Sequence, residues 1–107
     1  MGVAAHAKWD KGAYLSAGDL WFCLALDEPC PKNDYTHTAF DIAPEEFEAF
    51  TERVISSGAT VFKENKSEGN SLYILDPDGH KLEIHSGSLT SRLEALKAKP
   101  YSGLIWL

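Results

Sequence analysis

Residues 63–85 read KENKSEGNSLYILDPDGHKLEIH, which predicts a polar loop followed by a β-hairpin. Two runs, 71–75 and 81–85, read as strands, and DPDG supplies the turn residues between them. Because side chains alternate along a strand, Glu83 and His85 share one face while their apolar neighbours share the other. A carboxylate and an imidazole on the same inward face indicate a metal ion or an anionic ligand.

The length and the charge of the chain limit its possible functions. A chain of 107 residues forms one domain with a modest core, which favours an oligomer because a shared interface adds buried surface. The net charge of −6 argues against nucleic acid and against an anionic membrane surface as partners. An anionic substrate would need a local positive cluster, for which Lys63, Lys66 and Arg92 are the candidates.

The two cysteines, Cys23 and Cys30, do not form the disulfide framework of a small secreted protein. We expect Cys23 to be a small buried residue and not a nucleophile. The first ten residues contain no apolar run of the length that a signal peptide or a membrane span needs. The sequence therefore predicts a cytoplasmic protein.

Local patterns predict the remaining elements. The first third suggests a three-stranded meander at 6–9, 12–15 and 20–26, followed by a loop at 27–34 and a strand at 36–42. A helix is predicted at 44–57 because Phe47, Phe50 and Val54 recur at helical spacing and Gly58 follows them. A short strand at 60–63 precedes the hairpin. A second helix is predicted at 88–97, on Leu89, Leu93 and Leu96.

The candidate metal ligands are one histidine and one glutamate. Taken alone, a strand histidine such as His37 is more often structural. Paired with Glu83 it forms a credible two-ligand site, because divalent metals such as Mn and Zn accept imidazole and carboxylate together. A third ligand is expected, and His85, His80 or a group from another chain are the alternatives.

Two further regions have alternative interpretations. The loop at 65–71 is either a solvated connection or a site where backbone groups wrap a monovalent cation or an oxyanion. Tyr73 alternates onto the face of Ser71 and can donate a hydrogen bond there. The aromatic residues of the first third are core residues in the simplest interpretation, but Tyr14 near a bound cation would be able to assist proton transfer.

Four ordered segments resemble one known family. They are GAYLSAGDLWFCL from Gly12, DYTHTAFDI from Asp34, KENKSEGNSLYILDPDGHKLEIH from Lys63 and GSLTSRLEALKAKPYSG from Gly87. Together they span nearly the whole chain and are similar to the fosfomycin resistance glutathione transferases of the vicinal oxygen chelate (glyoxalase/dioxygenase) superfamily.

The resemblance implies an α+β fold of paired βαβββ modules in a homodimer that exchanges modules between subunits. Within one domain, residues 1–26 would be a partial first module, 35–86 a complete second module and 87–107 a C-terminal tail. The chain begins where the family's third element begins, so the first strand and helix are expected to be missing. A histidine metal ligand and a substrate-contacting threonine would be missing with them, and His6 does not align with that histidine.

The resemblance also implies the roles of particular residues. His37 and Glu83 would bind the metal, usually Mn(II), and Tyr14 would be the catalytic tyrosine that assists ionisation of the glutathione thiol. Trp9 and Lys66 would lie near the thiol channel. The epoxide would lie against Trp21, and the phosphonate would be held by Lys63, Ser67, Ser71, Tyr73 and Arg92. A potassium ion (K+) would be coordinated by Asn65, Glu68, Gly69 and Ser71.

The implied reaction is attack of glutathione on an epoxide carbon of fosfomycin, with the metal as a Lewis acid. Three interpretations follow from the missing segment. The chain is a family member with lost or weakened catalysis, or copies of it assemble so that the gap is covered. Alternatively, it is a non-catalytic module that binds a drug or an anion without reacting it.

Overall fold

The computed structural model describes residues 2–107 and contains seven strands and two helices. The first three strands form one antiparallel sheet in sequence order: β1 (Val3–Trp9), β2 (Gly12–Ala17) and β3 (Leu20–Ala25). The prediction of a meander is therefore confirmed. The expected burial of Cys23 is wrong, because this residue lies on the exposed edge strand β3.

The second sheet has four strands in the order β4-β7-β6-β5. These are β4 (Thr38–Asp41), β5 (Val61–Lys63), β6 (Asn70–Leu75) and β7 (Lys81–Ser86). Helix α1 (Pro44–Ser56) connects β4 to β5, and helix α2 (Leu89–Ala98) follows β7. Strand β4 is parallel to β7 and the other pairs are antiparallel, so a four-stranded mixed sheet with one crossover helix forms the second half.

The apolar core lies between this sheet and α1. Ile42, Leu72, Ile74 and Ile84 are buried together. The helix adds its predicted apolar residues to that cluster, namely Phe47, Phe50 and Val54. Alternation along β6 and β7 therefore directs one set of side chains into the core and leaves Glu83, His85 and Ser71 on the opposite face.

The turn between β6 and β7 forms as the DPDG sequence predicts. Oδ1 of Asp76 accepts hydrogen bonds from the backbone N–H groups of Asp78 (2.9 Å) and His80 (2.8 Å). Gly79 has a φ of 90°, a conformation that favours glycine. The turn fixes the register in which Tyr73 pairs with Glu83 and Ser71 with His85.

Two sequence expectations need correction. The fourth strand begins at Thr38, where the parallel ladder to Leu82 begins, so His37 precedes the strand and does not lie in it. The C-terminal helix forms with a Ser88 capping box, but Leu89 and Leu93 are exposed and only Leu96 is buried. Neither helix within residues 2–107 has the length and apolarity that crossing a membrane requires.

The two sheets contact each other only sparingly. Phe22 of β3 packs edge-on against Phe40 of β4, with ring centroids 5.7 Å apart, while every residue of β1 is exposed. The radius of gyration is 15.9 Å, whereas a compact chain of this length has about 13 Å. A large part of the first sheet is therefore available to another surface.

Candidate functional site

His37 and Glu83 meet on the polar face of the second sheet. The distance from His37 Nε2 to Glu83 Oε1 is 3.1 Å. Glu83 is 7% exposed, so its carboxylate is a buried charge that needs partners. Two ligand atoms bound side by side to one metal at about 2.1 Å also lie roughly 3 Å apart. One imidazole and one carboxylate in this arrangement fit a divalent metal.

The second oxygen of Glu83 is held by neighbouring strands. Ser71 Oγ donates a hydrogen bond to Glu83 Oε2 at 2.9 Å, and the same Oγ lies 2.6 Å from His85 Nδ1. On the far side of the ring, His85 Nε2 lies 3.7 Å from Glu68 Oε1. The His85 ring therefore stands between two carboxylates.

Lys63 extends along the same face between two tyrosines. Its Nζ donates a hydrogen bond to the Tyr35 hydroxyl at 2.7 Å and lies 4.3 and 4.8 Å from the ring centroids of Tyr35 and Tyr73. The hydrogen bond to Tyr35 raises the pKa of Lys63 above its ordinary value, and the nearby Glu83 charge adds to this effect. Lys63 is therefore a cation at neutral pH.

Tyr35 is a residue whose role the sequence reasoning missed. Its ring centroid lies 4.7 Å from that of His37, so it connects Lys63 with the candidate metal ligand. The available signal was the spacing in DYTH, because side chains two residues apart share a side of an extended backbone.

The loop before β6 closes on itself through hydrogen bonds. Asn65 Oδ1 accepts from the backbone N–H and the hydroxyl of Ser67 (3.0 and 2.8 Å), and Asn65 Nδ2 donates to the carbonyl of Gly69 at 2.9 Å. Gly69 has a φ of 71°, and a Cβ there would lie 2.7 Å from the carbonyl oxygen of Ser86. Only glycine therefore fits at this point of the loop.

Helix α2 supplies a guanidinium to this loop. Arg92 Nε donates to Glu68 Oε1 and Arg92 Nη2 to Ser67 Oγ, both at 3.2 Å. Burial lowers the pKa of Arg92, but hydrogen bonds with Glu68 and Tyr101 outweigh burial and the pKa is raised overall. Arg92, Lys66 and Lys99 line a cavity of about 300 Å³ beside the loop, which makes this a positive region in an acidic chain.

The aromatic residues Trp9, Tyr14 and Trp21 form a separate group on the first sheet. Tyr14 packs edge-on between the two tryptophans, with centroid distances of 4.6 and 5.2 Å. The ring contacts of all three are with one another, and all three are exposed. Among residues 2–107, no ring contact links them to the His37–Glu83 pair.

The alternatives for a third metal ligand can now be compared. His85 approaches the oxygen of Glu83 that faces away from His37. His80 lies in the turn, where it groups with Asp76 and Asp78. Among residues 2–107, no third His, Cys, Asp or Glu has a ligand atom near enough to share one ion with His37 and Glu83. Of the expected sources of a third metal ligand, a group from another chain is therefore the one that remains.

Comparisons with known proteins identify the family. No protein-family model matches the chain. The chain is 52% identical over 111 residues to the glutathione transferase FosA of Serratia marcescens, covering 99% of this chain and 79% of that protein. It is 38% identical over 92 residues to the metallothiol transferase FosB of Shouchella clausii, covering 78% of this chain and 63% of the relative.

A solved structure agrees with these sequence matches. The fosfomycin resistance protein FosX of Listeria monocytogenes, crystallised with Mn(II) and sulfate, superposes with a TM-score of 0.77 at 30% identity. The superposition covers 87% of this chain and 77% of FosX. It confirms the predicted α+β fold of the vicinal oxygen chelate type. The chain belongs to the fosfomycin resistance family of the vicinal oxygen chelate superfamily.

Proposed function

We propose that this chain catalyses the metal-dependent transfer of glutathione to the epoxide of fosfomycin. The observation that carries the proposal is the convergence of His37 and Glu83, 3.1 Å apart, next to the cation of Lys63. The 52% identity to a protein named glutathione transferase FosA supports the choice of thiol. The Mn(II) and sulfate in the FosX crystal support a site for a metal and an anion in this fold.

His37 Nε2 and Glu83 Oε1 would hold the metal. A bound Mn(II) would supply Lewis acidity that stabilises the negative charge developing on the epoxide oxygen. The protein's own contribution is to hold the two ligand atoms 3.1 Å apart at the polar face of the second sheet, Glu83 from β7 and His37 from the segment before β4. The Glu83 carboxylate is buried, which strengthens its interaction with any cation.

The phosphonate of fosfomycin would lie against the positive side chains. Lys63 and Arg92 provide the charge, and the hydroxyls of Ser67, Ser71 and Tyr73 provide donors. Arg92 lies on α2 and Lys63 lies at the end of β5. Charge-assisted hydrogen bonds from two directions would orient the epoxide carbon for attack.

Glutathione would approach from the first sheet. We propose Tyr14 as the residue that assists ionisation of the thiol, Trp21 as a wall of the epoxide pocket, and Trp9 and Lys66 as contacts along the thiol channel. The exposed aromatic group is consistent with a surface that another molecule covers. The free, exposed Cys23 and Cys30 fit a cytoplasmic location, where glutathione keeps thiols reduced.

The closed loop before β6 would hold the potassium ion. Oxygen atoms of Asn65, Glu68, Gly69 and Ser71 lie along this loop and the strand start that follows it. Glu68 provides the negative charge, and its position is fixed by the 3.2 Å hydrogen bond from Arg92. A cation here would offset the charge of Glu68, which lies across the His85 ring from Glu83.

The proposal is tested by incubating the protein with Mn(II), fosfomycin and glutathione, and following thiol consumption with fosfomycin loss. We expect the concentrations of free thiol and of fosfomycin to fall together in a one-to-one ratio, and only when metal is present. Loss of free fosfomycin without thiol consumption would contradict the proposal and indicate a binding module that sequesters the drug. Water addition would give a diol with no thiol loss, which mass spectrometry of the product distinguishes.

We propose that the working form is a homodimer in which the first module, 1–26, packs its sheet of β1, β2 and β3 against a second copy. In this proposal 35–86 would be the complete βαβββ module and 87–107 a C-terminal tail that contains α2. Three observations support a partner: the exposed β1, the sparse contact between sheets and the large radius of gyration. A second copy would also be the source of a third metal ligand.

A dimer prediction follows from the apolar face of the first sheet. Leu24 lies on this face beside Phe22 and is 47% exposed, as is Ile55 on α1. We expect light scattering to give twice the chain mass of 11.8 kDa, and Leu24→Asp to shift the protein toward the monomer. Ile55→Asp is the matched control and should leave the mass unchanged. A parent protein that is monomeric at all concentrations would contradict the dimer.

A further inference from the structure

We infer that His85 is a positioning residue, which aims the Glu83 carboxylate at His37 by acting through Ser71. This inference rests on the proposed function, because it assumes that the His37–Glu83 pair binds a metal. The roles assigned above leave His85 without a task, although its ring lies in the middle of the polar face. It has two hydrogen-bonding nitrogens, and each faces a different element.

The hydrogen bonds around Ser71 have one consistent arrangement. An ionised carboxylate only accepts, so the single proton of the Ser71 hydroxyl is donated to Glu83 Oε2 at 2.9 Å. The 2.6 Å contact between Ser71 Oγ and His85 Nδ1 then requires the ring nitrogen to be the donor. His85 therefore fixes the direction of the Ser71 hydroxyl, and Ser71 fixes one oxygen of Glu83.

This arrangement leaves the other oxygen free for a metal. Oε1 is the atom that faces His37, and the hydrogen bond from Ser71 to Oε2 holds the carboxylate in that orientation. Hydrogen bonds that orient ligands in this way commonly decide metal affinity by 10- to 100-fold. The His85 ring thus affects the metal through Ser71 and Glu83 and does not itself contact it.

Packing holds the ring in the required orientation. A Cβ on Gly69 would lie 3.3 Å from His85 Cε1, and a Cβ on Gly87 would lie 2.6 Å from His85 Nε2. Two glycines therefore make room for the outer edge of the ring around Nε2. On the outer side, Glu68 stands 3.7 Å from Nε2 and is itself fixed by Arg92. The ring has little freedom to turn its Nδ1 away from Ser71.

Substitution of His85 by asparagine or by glutamine tests which of the two ring nitrogens matters. Nδ1 is bonded to Cγ, as is the amide nitrogen of asparagine, whereas the amide of glutamine reaches out to the position of Nε2. We expect Mn(II) affinity, measured by titration of free Mn(II) with EPR, to fall about 10- to 100-fold in His85→Leu and His85→Gln. In His85→Asn we expect most of the affinity to remain, because the donor to Ser71 is restored.

A double variant tests whether His85 acts through Ser71. Ser71→Ala combined with His85→Leu should bind Mn(II) no more weakly than Ser71→Ala alone, since both changes break the same chain of hydrogen bonds. Additive losses would overturn the inference. The inference would also be overturned if all three His85 variants lost Mn(II) affinity equally and in proportion to a drop in their metal-free melting temperatures. That result would mean that His85 has only a packing role.

His37→Ala, measured in the same titration, distinguishes this inference from the proposed function. If His37→Ala loses affinity and His85→Leu does not, the positioning role is wrong while the metal site stands. If neither variant differs from the parent, the metal assignment itself is wrong, and the inference is overturned with it.

Discussion

Glu83→Gln is expected to abolish thiol transfer and to weaken Mn(II) binding by roughly 100-fold or more. This loss exceeds the effect that is typical when a residue only hydrogen-bonds to a metal ligand. The substitution preserves volume and removes the charge that would balance the metal. Glutamine can still accept the hydrogen bond from Ser71 and donate one to His37, so the polar face keeps its contacts. The expected loss is therefore specific to the metal. Isothermal titration of Mn(II) and the rate of thiol consumption measure it.

The control for Glu83→Gln is Glu52→Gln, which removes one negative charge from an exposed position on α1. It should bind Mn(II) like the parent, showing that net charge is not the cause. The metal-free melting temperatures of both variants should stay near that of the parent. If Glu83→Gln binds Mn(II) as tightly as the parent does, the assignment of Glu83 as a ligand is wrong.

The elements that the sequence predicted well are those whose signals are local. The hairpin follows from DPDG between two apolar runs, and α1 follows from Phe47, Phe50 and Val54 at helical spacing. Alternation on β7 also placed Glu83 and His85 together on the polar face without knowledge of neighbouring strands. These features depend on residues close in sequence, which a single chain displays directly.

The features that the sequence did not reveal depend on partners distant in the chain. His37 lies outside β4 because the ladder to β7 begins one residue later, and the sequence does not indicate that register. His85 was considered as a metal ligand, but it approaches the other oxygen of Glu83 because Ser71 pairs with it across the hairpin. The hydrogen bond between Tyr35 and Lys63 joins residues 28 positions apart.

The exposure of the first sheet also depends on partners that local sequence does not display. Its strands have the apolar alternation of a half-buried sheet, yet Leu20, Trp21 and Leu24 are exposed. Local sequence determined that a meander forms, whereas burial of its faces depends on what packs against it.

Lys63→Ala is expected to weaken binding of fosfomycin to the Mn(II)-loaded protein by tenfold or more, with roughly unchanged affinity for glutathione. Lys63 is held as a cation by the 2.7 Å hydrogen bond to Tyr35 and by two aromatic rings, so it is already positioned when the phosphonate arrives. Tyr35→Phe should have a smaller effect, since it keeps the ring contact and removes only the hydrogen bond.

The matched control is Lys97→Ala. The Lys97 ammonium is paired with Glu94 on the surface of α2, so its removal should leave the binding of both ligands as in the parent. Separate calorimetric titrations with fosfomycin and with glutathione measure these affinities, and a larger loss for glutathione than for fosfomycin would contradict the role proposed for Lys63.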